Sequence, residues 1–232
     1  MACFCVPKRA TADSEEILVC KVLTAPRTAC DESLPADVAL EMLRAGNRRF
    51  LRDATSRTSV EQRSHLRASL SEKGQNPAAV VIACSDSRCP VEILFDGQPG
   101  DLFVLRNAGN TCCHAEGSMV GSAEYATGHL NTNLILVLGH TKCGAIAGAT
   151  AAMVSKRASD APSRARGGRT SLLDTMLADL APIAKAADAE LPPGATTEEI
   201  AAHAVRVNVF HTMEKLLEYS APIRRKVEQG KV

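Results

Sequence analysis

Tryptophan is absent, and the aromatic residues together make up only 3% of the chain. Surfaces that stack unpaired nucleobases rely on such rings, so that class of binding loses its usual platform. An excess of positive charge is missing as well. The 27 Lys and Arg are matched by 26 Asp and Glu, for a net charge of +1. That balance creates no general field toward DNA, RNA or an anionic membrane. The longest apolar runs, such as residues 78–83 and 134–138, fall far short of the ~20 residues that span a bilayer. The N-terminus does not join a basic start to a long apolar stretch, so no secretory signal is visible. Nine cysteines, an odd number, argue against a complete disulfide framework. A reducing compartment, the cytoplasm, is therefore expected, with organelle import by the N-terminal segment left open. In such a compartment several cysteines point to metal binding or catalysis more than to cross-links.

What remains is an ordinary globular composition: 232 residues, 45% hydrophobic and 23% charged, enough for one α/β domain with a core of Val, Ile, Leu and Ala. Residues 1–35 have no clear period and read as an arm or leader; 36–232 read as the domain. Over 37–51 the apolar residues Val38, Leu40, Met42, Leu43 and Phe50 recur at helical spacing, with Asp37 as N-cap and Gly46 as a helix-ending signal. A polar helix is expected over 60–71. Three short β-branched runs follow: 78–84 (AAVVIAC), 102–107 (LFVLRN) and 134–140 (LILVLGH). Such continuous runs, with a helical stretch over 118–130 between the last two, predict buried parallel strands in βαβ units. Further helices are expected over 144–154, 171–187 and 197–219. The basic segment 155–170 reads as a solvated loop, and residues 211–232 read as one helix.

The chemistry-bearing side chains cluster at two strand ends. The first strand runs into Cys84, Ser85, Asp86, Ser87 and Arg88; the third runs into His140, Thr141, Lys142, Cys143 and Gly144. In an open parallel sheet, ligands bind beyond the carboxyl ends of strands where the strand order reverses. If these strands are neighbours, Cys84, His140 and Cys143 converge there. Two thiolates and one imidazole suit Zn²⁺, and three protein ligands leave a fourth tetrahedral position for water, the mark of a catalytic site. Cys143 would open a helix whose dipole favours a thiolate. Asp86 could accept a proton beside the fourth position, held ionised by a bidentate Arg88.

These residues resemble a known family. CSDSR (84–88), PGDLFVLRNAGN (99–110), EYA (124–126) and GHTKCGA (139–145) occur in the order and at the separations of the β-class carbonic anhydrases. The likeness runs from ALEMLRAGNRRF (39–50) to the C-terminus. It implies a mostly parallel sheet with helices on both faces, an N-terminal helical arm, and reversible hydration of CO₂ to bicarbonate by zinc-bound hydroxide. By position it implies one Zn²⁺ per chain on Cys84, His140 and Cys143, with an Asp86–Arg88 dyad. GQNP (74–77) looks like the plant-type subgroup, which would make Gln75 a substrate hydrogen-bonding residue and keep the site permanently open. By the same match Phe103 and Tyr125 line an apolar pocket, Gly144 sits against it, and a homodimer or a multiple of one supplies wall residues across its interface. Family members continue past the last helix into one or two further strands, and this sequence stops about where the next would begin, so either a truncated sequence or a shorter sheet is expected.

Rival readings use the same residues. A thiol phosphatase needs Arg six residues after its nucleophilic Cys, and position 90 is Pro. Carbon disulfide or carbonyl sulfide hydrolysis would need the same metal chemistry behind a different pocket. A structural or regulatory zinc protein would share the ligands but not a productive Asp86–Arg88 pair. Cys20, Cys30, Cys89, Cys112 and Cys113 read as buried small hydrophobes or free thiols, and Cys3 and Cys5 as part of an unmodified arm. His65, His114, His203 and His211 show no partner pattern, whereas His129, after the EYA helix, is kept as a proton-shuttle candidate.

Overall fold

The structure, a computed structural model, describes residues 27–55, 60–113, 117–158 and 171–232. Cys3, Cys5, Cys20, His114 and most of the basic segment, 159–170, lie outside the described residues. Among the described residues eight helices and three strands follow in the order α1 (Ala36–Leu51), α2 (Val60–Lys73), β1 (Ala79–Cys84), α3 (Val91–Leu94), β2 (Leu102–Asn107), α4 (Ser118–His129), β3 (Ile135–Leu138), α5 (Gly144–Ala158), α6 (Leu172–Ala189), α7 (Thr197–Tyr219) and α8 (Ala221–Glu228).

The three strands form one parallel sheet in the order β2-β1-β3. All six residues of β1 are buried. Their side chains alternate between two cores, as the two-residue period of a strand requires. Ala79, Val81 and Ala83 pack with Ala39, Met42 and Leu43 of α1 and with Val91 of α3. Val80 and Ile82 pack with Val120, Ala123 and Ala126 of α4, Leu216 of α7 and Ile223 of α8. Full burial of Val80, Val81 and Ile82 supplies roughly 1.5–3 kcal/mol each. The expected α/β architecture, a parallel sheet covered by helices on both faces, is what the chain forms. A third core, Ile146, Ala149 and Met153 of α5 against Leu180, Ile183 and Ala184 of α6 and Ile200 and Ala204 of α7, includes Cys84 and Cys143 at its rim. Among the described residues no helix is long and apolar enough to cross a membrane.

Three local expectations are corrected. Gly46 does not end α1: the helix runs on to Leu51, and a Cβ at 46 would stand 1.8 Å from the Phe95 carbonyl oxygen. Glycine is there because the helix touches another backbone. Asp37 is not the N-cap. Pro35 holds that position, and Asp37 sits in the first turn, where a carboxylate favours the helix dipole. The expected helix over 211–232 is two helices. Ser220 leaves helical geometry at φ −110°, ψ 95°, and its side chain accepts from Ile223 N to start α8, with Pro222 in the first turn.

Candidate metal centre

The site is built by the sheet register. Cys84, the last residue of β1, lies opposite Asn107 of β2, while Leu138, the last of β3, lies opposite Ala83. The chain leaving β3 therefore delivers His140 just beyond the level of Cys84. A turn with Lys142 at φ 55° then carries Cys143 to the start of α5, where its carbonyl accepts from Ala147 N. β1 lies between β2 and β3, so its connection departs to one side and the third strand returns on the other. This is the position where open α/β sheets bind ligands.

The donor atoms of Cys84, His140 and Cys143 all lie within 4.8 Å of one another, and the two sulfurs are 3.9 Å apart. Two sulfurs at ~2.3 Å from a tetrahedral ion would stand about 3.8 Å apart, so the thiol pair fits such an ion. The imidazole fits too. His140 Nδ1 is 3.1 Å from the Thr141 carbonyl oxygen, closer than its 3.4 Å to Arg88 Nη2. Donation to that carbonyl leaves the lone pair on Nε2. That atom is buried and has no hydrogen-bond partner among the described residues, which is costly unless something binds it. Burial pushes the Cys143 thiol up, while the N–H groups of Ile146 and Ala145 pull it back. Cys84 Sγ accepts from Asp86 N and from Gly109 N, each at 3.4 Å.

Asp86 and Arg88 form a closed fork at the mouth of this group. Arg88 Nε donates to Asp86 Oδ1 at 3.0 Å and Nη2 donates to Oδ2 at 2.9 Å. The Arg88 backbone N–H also donates to Oδ1 at 2.9 Å. These bonds, the guanidinium first, hold the Asp86 carboxyl well below the usual carboxylate range. The same guanidinium donates to the carbonyls of Thr141 and Lys142 at 3.3 and 3.1 Å, so one side chain ties the loop after β1 to the loop after β3. Arg106 is a second strap that sequence reasoning missed. Its Nε and Nη2 donate to the carbonyls of Cys84 and Asp86 at 2.9 and 2.7 Å. Its place inside a strand pattern gave no hint of this.

The remaining expected site residues divide. Gly144 adjoins Cys143 at the start of α5, exposed, with nothing within 4 Å of a Cβ placed there. Gln75, Phe103 and Tyr125 are at the other end of the sheet. Phe103 pairs with Val80, four residues before Cys84, or about 13 Å along the strand. Gln75, Tyr125 and His129 line a cleft of about 500 Å³ there with Arg67, Leu70 and Leu130. The Tyr125 ring packs 6.2 Å from Phe103 and 5.5 Å from His129, centroid to centroid, and Tyr125 is 48% exposed. Within one chain these residues do not meet the Cys84 group. Cys89 and Cys112 are buried and Cys30 is exposed. Cys112 and Cys113 form no group of three donors among the described residues.

The chain is similar to known proteins. The family model described as "Carbonic anhydrase" matches residues 79–232. "Carbonic anhydrase 2" of Mycobacterium tuberculosis is 44% identical over 117 residues, 50% of this chain and 53% of that protein. The chain thus spans about half the length of the curated relatives it matches. A tetrameric β-carbonic anhydrase structure from Sordaria macrospora is 31% identical, covering 74% of this chain and 79% of that one at a TM-score of 0.57. The Aspergillus fumigatus β-carbonic anhydrase CafA is 26% identical, covering 83% and 82% at the same TM-score of 0.57.

Proposed function

We infer the activity from one premise: the chain belongs to the carbonic anhydrase family, in its β-class. It interconverts carbon dioxide and bicarbonate at a single zinc ion held by Cys84, His140 and Cys143. The observation that carries this reading is the convergence of two thiols and a partnerless buried imidazole nitrogen within 4.8 Å. Zn²⁺ bound there would supply Lewis acidity, bringing the pKa of a water molecule down toward ~7.

The chain's own residues do the rest. Two thiolates offset the ion's double charge, and the Thr141 carbonyl fixes the imidazole orientation. Asp86 stays ionised at neutral pH because Arg88 occupies both carboxylate oxygens. Its remaining lone pairs can accept a hydrogen bond from the nucleophile and so fix which face of that nucleophile meets the substrate. Arg88 and Arg106 hold the loops that carry Asp86. An apolar substrate needs an apolar wall. The plant-type reading assigns that wall to Phe103 and Tyr125, with Gln75 as the hydrogen-bond donor. Their placement at the far end of the sheet supports a homodimer, or a multiple of one, in which each chain lends these residues to its neighbour's metal centre.

Stopped-flow CO₂ hydration alongside metal analysis tests the reading. Rapid hydration with one zinc per chain is expected, lost in the chelated protein and restored by Zn²⁺. A chain that carries zinc yet hydrates CO₂ no faster than buffer would refute it.

A further inference from the structure

The Cys84 sulfur receives one of its two N–H contacts from Gly109 at 3.4 Å, in a turn that begins at the end of β2. This turn is closed on itself by Asn107, whose Nδ2 donates to Thr111 O at 2.9 Å and whose Oδ1 accepts from Thr111 N at 2.9 Å. That closure sets the turn's shape, and the sheet anchors its first residue, where Ser85 N donates to the Asn107 carbonyl at 2.9 Å. Gly109 has φ 87°, a backbone state that only glycine adopts without strain.

The outside anchor comes from α7, about a hundred residues away in sequence. Asn208 Nδ2 donates to the Gly109 carbonyl at 2.7 Å, and Thr212 Oγ1 donates to the Asn110 carbonyl at 3.0 Å. The buried stripe of α7 runs Ile200, Ala204, Asn208, Thr212 and Leu216, one residue every four, as a helix face packed on a core requires. Two polar residues interrupt it where it crosses the turn. Both are 1% exposed; their donor atoms are paired with the turn's carbonyls, while Asn208 Oδ1 has no hydrogen-bond partner among the described residues. Gly109 is thus gripped at both ends: its N–H faces the sulfur and its C=O is held by α7.

We propose that Asn208 and Thr212 are positioning residues of the metal centre, holding the Gly109 N–H against the Cys84 sulfur. This deepens the zinc reading above and rests on it. A hydrogen bond to a ligating thiolate draws charge from the sulfur and fixes its lone pairs, and loss of such outer partners weakens metal binding by about 10–100-fold.

The test uses the full chain loaded with Co²⁺, whose thiolate-to-cobalt absorption bands report the electron density on sulfur, together with Zn²⁺ affinity measured by chelator competition. If the wild-type chain shows no such bands, the metal reading itself fails and this inference falls with it. With the bands present, Thr212→Val and Asn208→Leu, both close in shape, are expected to shift them and to weaken zinc about tenfold. Thr212→Ser is expected within twofold of wild type. Thr127→Val is the control, because it deletes an equally buried hydroxyl that bonds only within α4; it should lower the melting temperature and leave the bands in place. Bands and affinity unchanged in folded Thr212→Val and Asn208→Leu would overturn the proposal. Should those variants not fold, nuclear magnetic resonance of the wild-type chain loaded with ¹¹³Cd²⁺ decides. A scalar coupling from cadmium through sulfur to the Gly109 amide proton is expected, and its absence would overturn the proposal.

Discussion

Replacing Arg88 by alanine separates the two things its guanidinium does for Asp86, holding its charge and holding its direction. The substitution deletes the contacts at 3.0 and 2.9 Å to the two carboxylate oxygens and those to the carbonyls of Thr141 and Lys142. It keeps the backbone N–H that donates to Oδ1, so the Asp86 carboxyl should move up only part of the way to its ordinary value. Even at that value, about 3.9, only about one carboxyl in a thousand is protonated at pH 7. Protonation therefore cannot account for any loss of turnover near neutrality. What is lost is orientation: the carboxylate is free to turn, and the loops after β1 and β3 lose their shared strap. Groups that orient a metal site's working residues are worth about 10–100-fold. We expect CO₂ hydration to fall by that factor, with zinc content unchanged and the same relative loss at every pH from 6 to 9. Arg88→Lys, which restores charge but not the planar fork, should recover less than tenfold. Stopped-flow hydration across that range is the assay. Wild-type turnover in Arg88→Ala at pH 7, or a loss seen only on the acid side, would refute the reasoning.

Other positions carry expectations of their own. Gly46→Ala forces a Cβ to within 1.8 Å of the Phe95 carbonyl oxygen, so α1 must shift from its neighbour; about 3 kcal/mol of stability or more should be lost in urea unfolding, and a loss below 0.5 would show that the contact relaxes freely. Asp101 is fully buried, and burial pushes its carboxyl up to about 6. A folded value above the unfolded one of ~3.9 means that the folded chain binds this proton more tightly, so this group's contribution to stability is greatest in acid and falls as pH rises from about 4 to about 6. A rise of about two pH units at ~1.4 kcal/mol each corresponds to about 3 kcal/mol. Asp101→Asn should abolish that slope, and equal slopes for the two proteins in urea unfolding at pH 4, 5, 6 and 7 would contradict it. Lys142→Gly relieves a side chain held at φ 55° and should raise the metal-free stability by about 1 kcal/mol; a drop would mean that the lysine side chain stabilises the turn.

The parts of this molecule that announce themselves in sequence are those decided locally. β1 is six buried residues rich in Val and Ile, and such a run fits only the middle of a parallel sheet. α7 begins at a capping box, Thr196 with Glu199, and its start matches the expected residue. Cys84, His140 and Cys143 were legible because two strand ends carry them, and strand ends are where parallel sheets place chemistry. What stayed hidden depends on contacts between distant segments. Gly46 reads as a helix stop until Phe95 packs against it. Arg106 and Asn208 look like ordinary strand and helix positions until their donors meet the carbonyls of Cys84 and Gly109. The short α3 has only four residues, too few for a helical period to show. Gln75, Phe103 and Tyr125 were grouped with the metal ligands by resemblance, yet strand geometry puts them at the opposite end of the same sheet.

X-ray absorption at the zinc edge of the reconstituted chain tests the central assignment most directly. Two sulfurs at ~2.3 Å, one imidazole nitrogen at ~2.0 Å and one further light atom are expected around a single zinc per chain. A shell of four sulfurs, or one with no sulfur, would contradict the assignment of the ion to Cys84, His140 and Cys143.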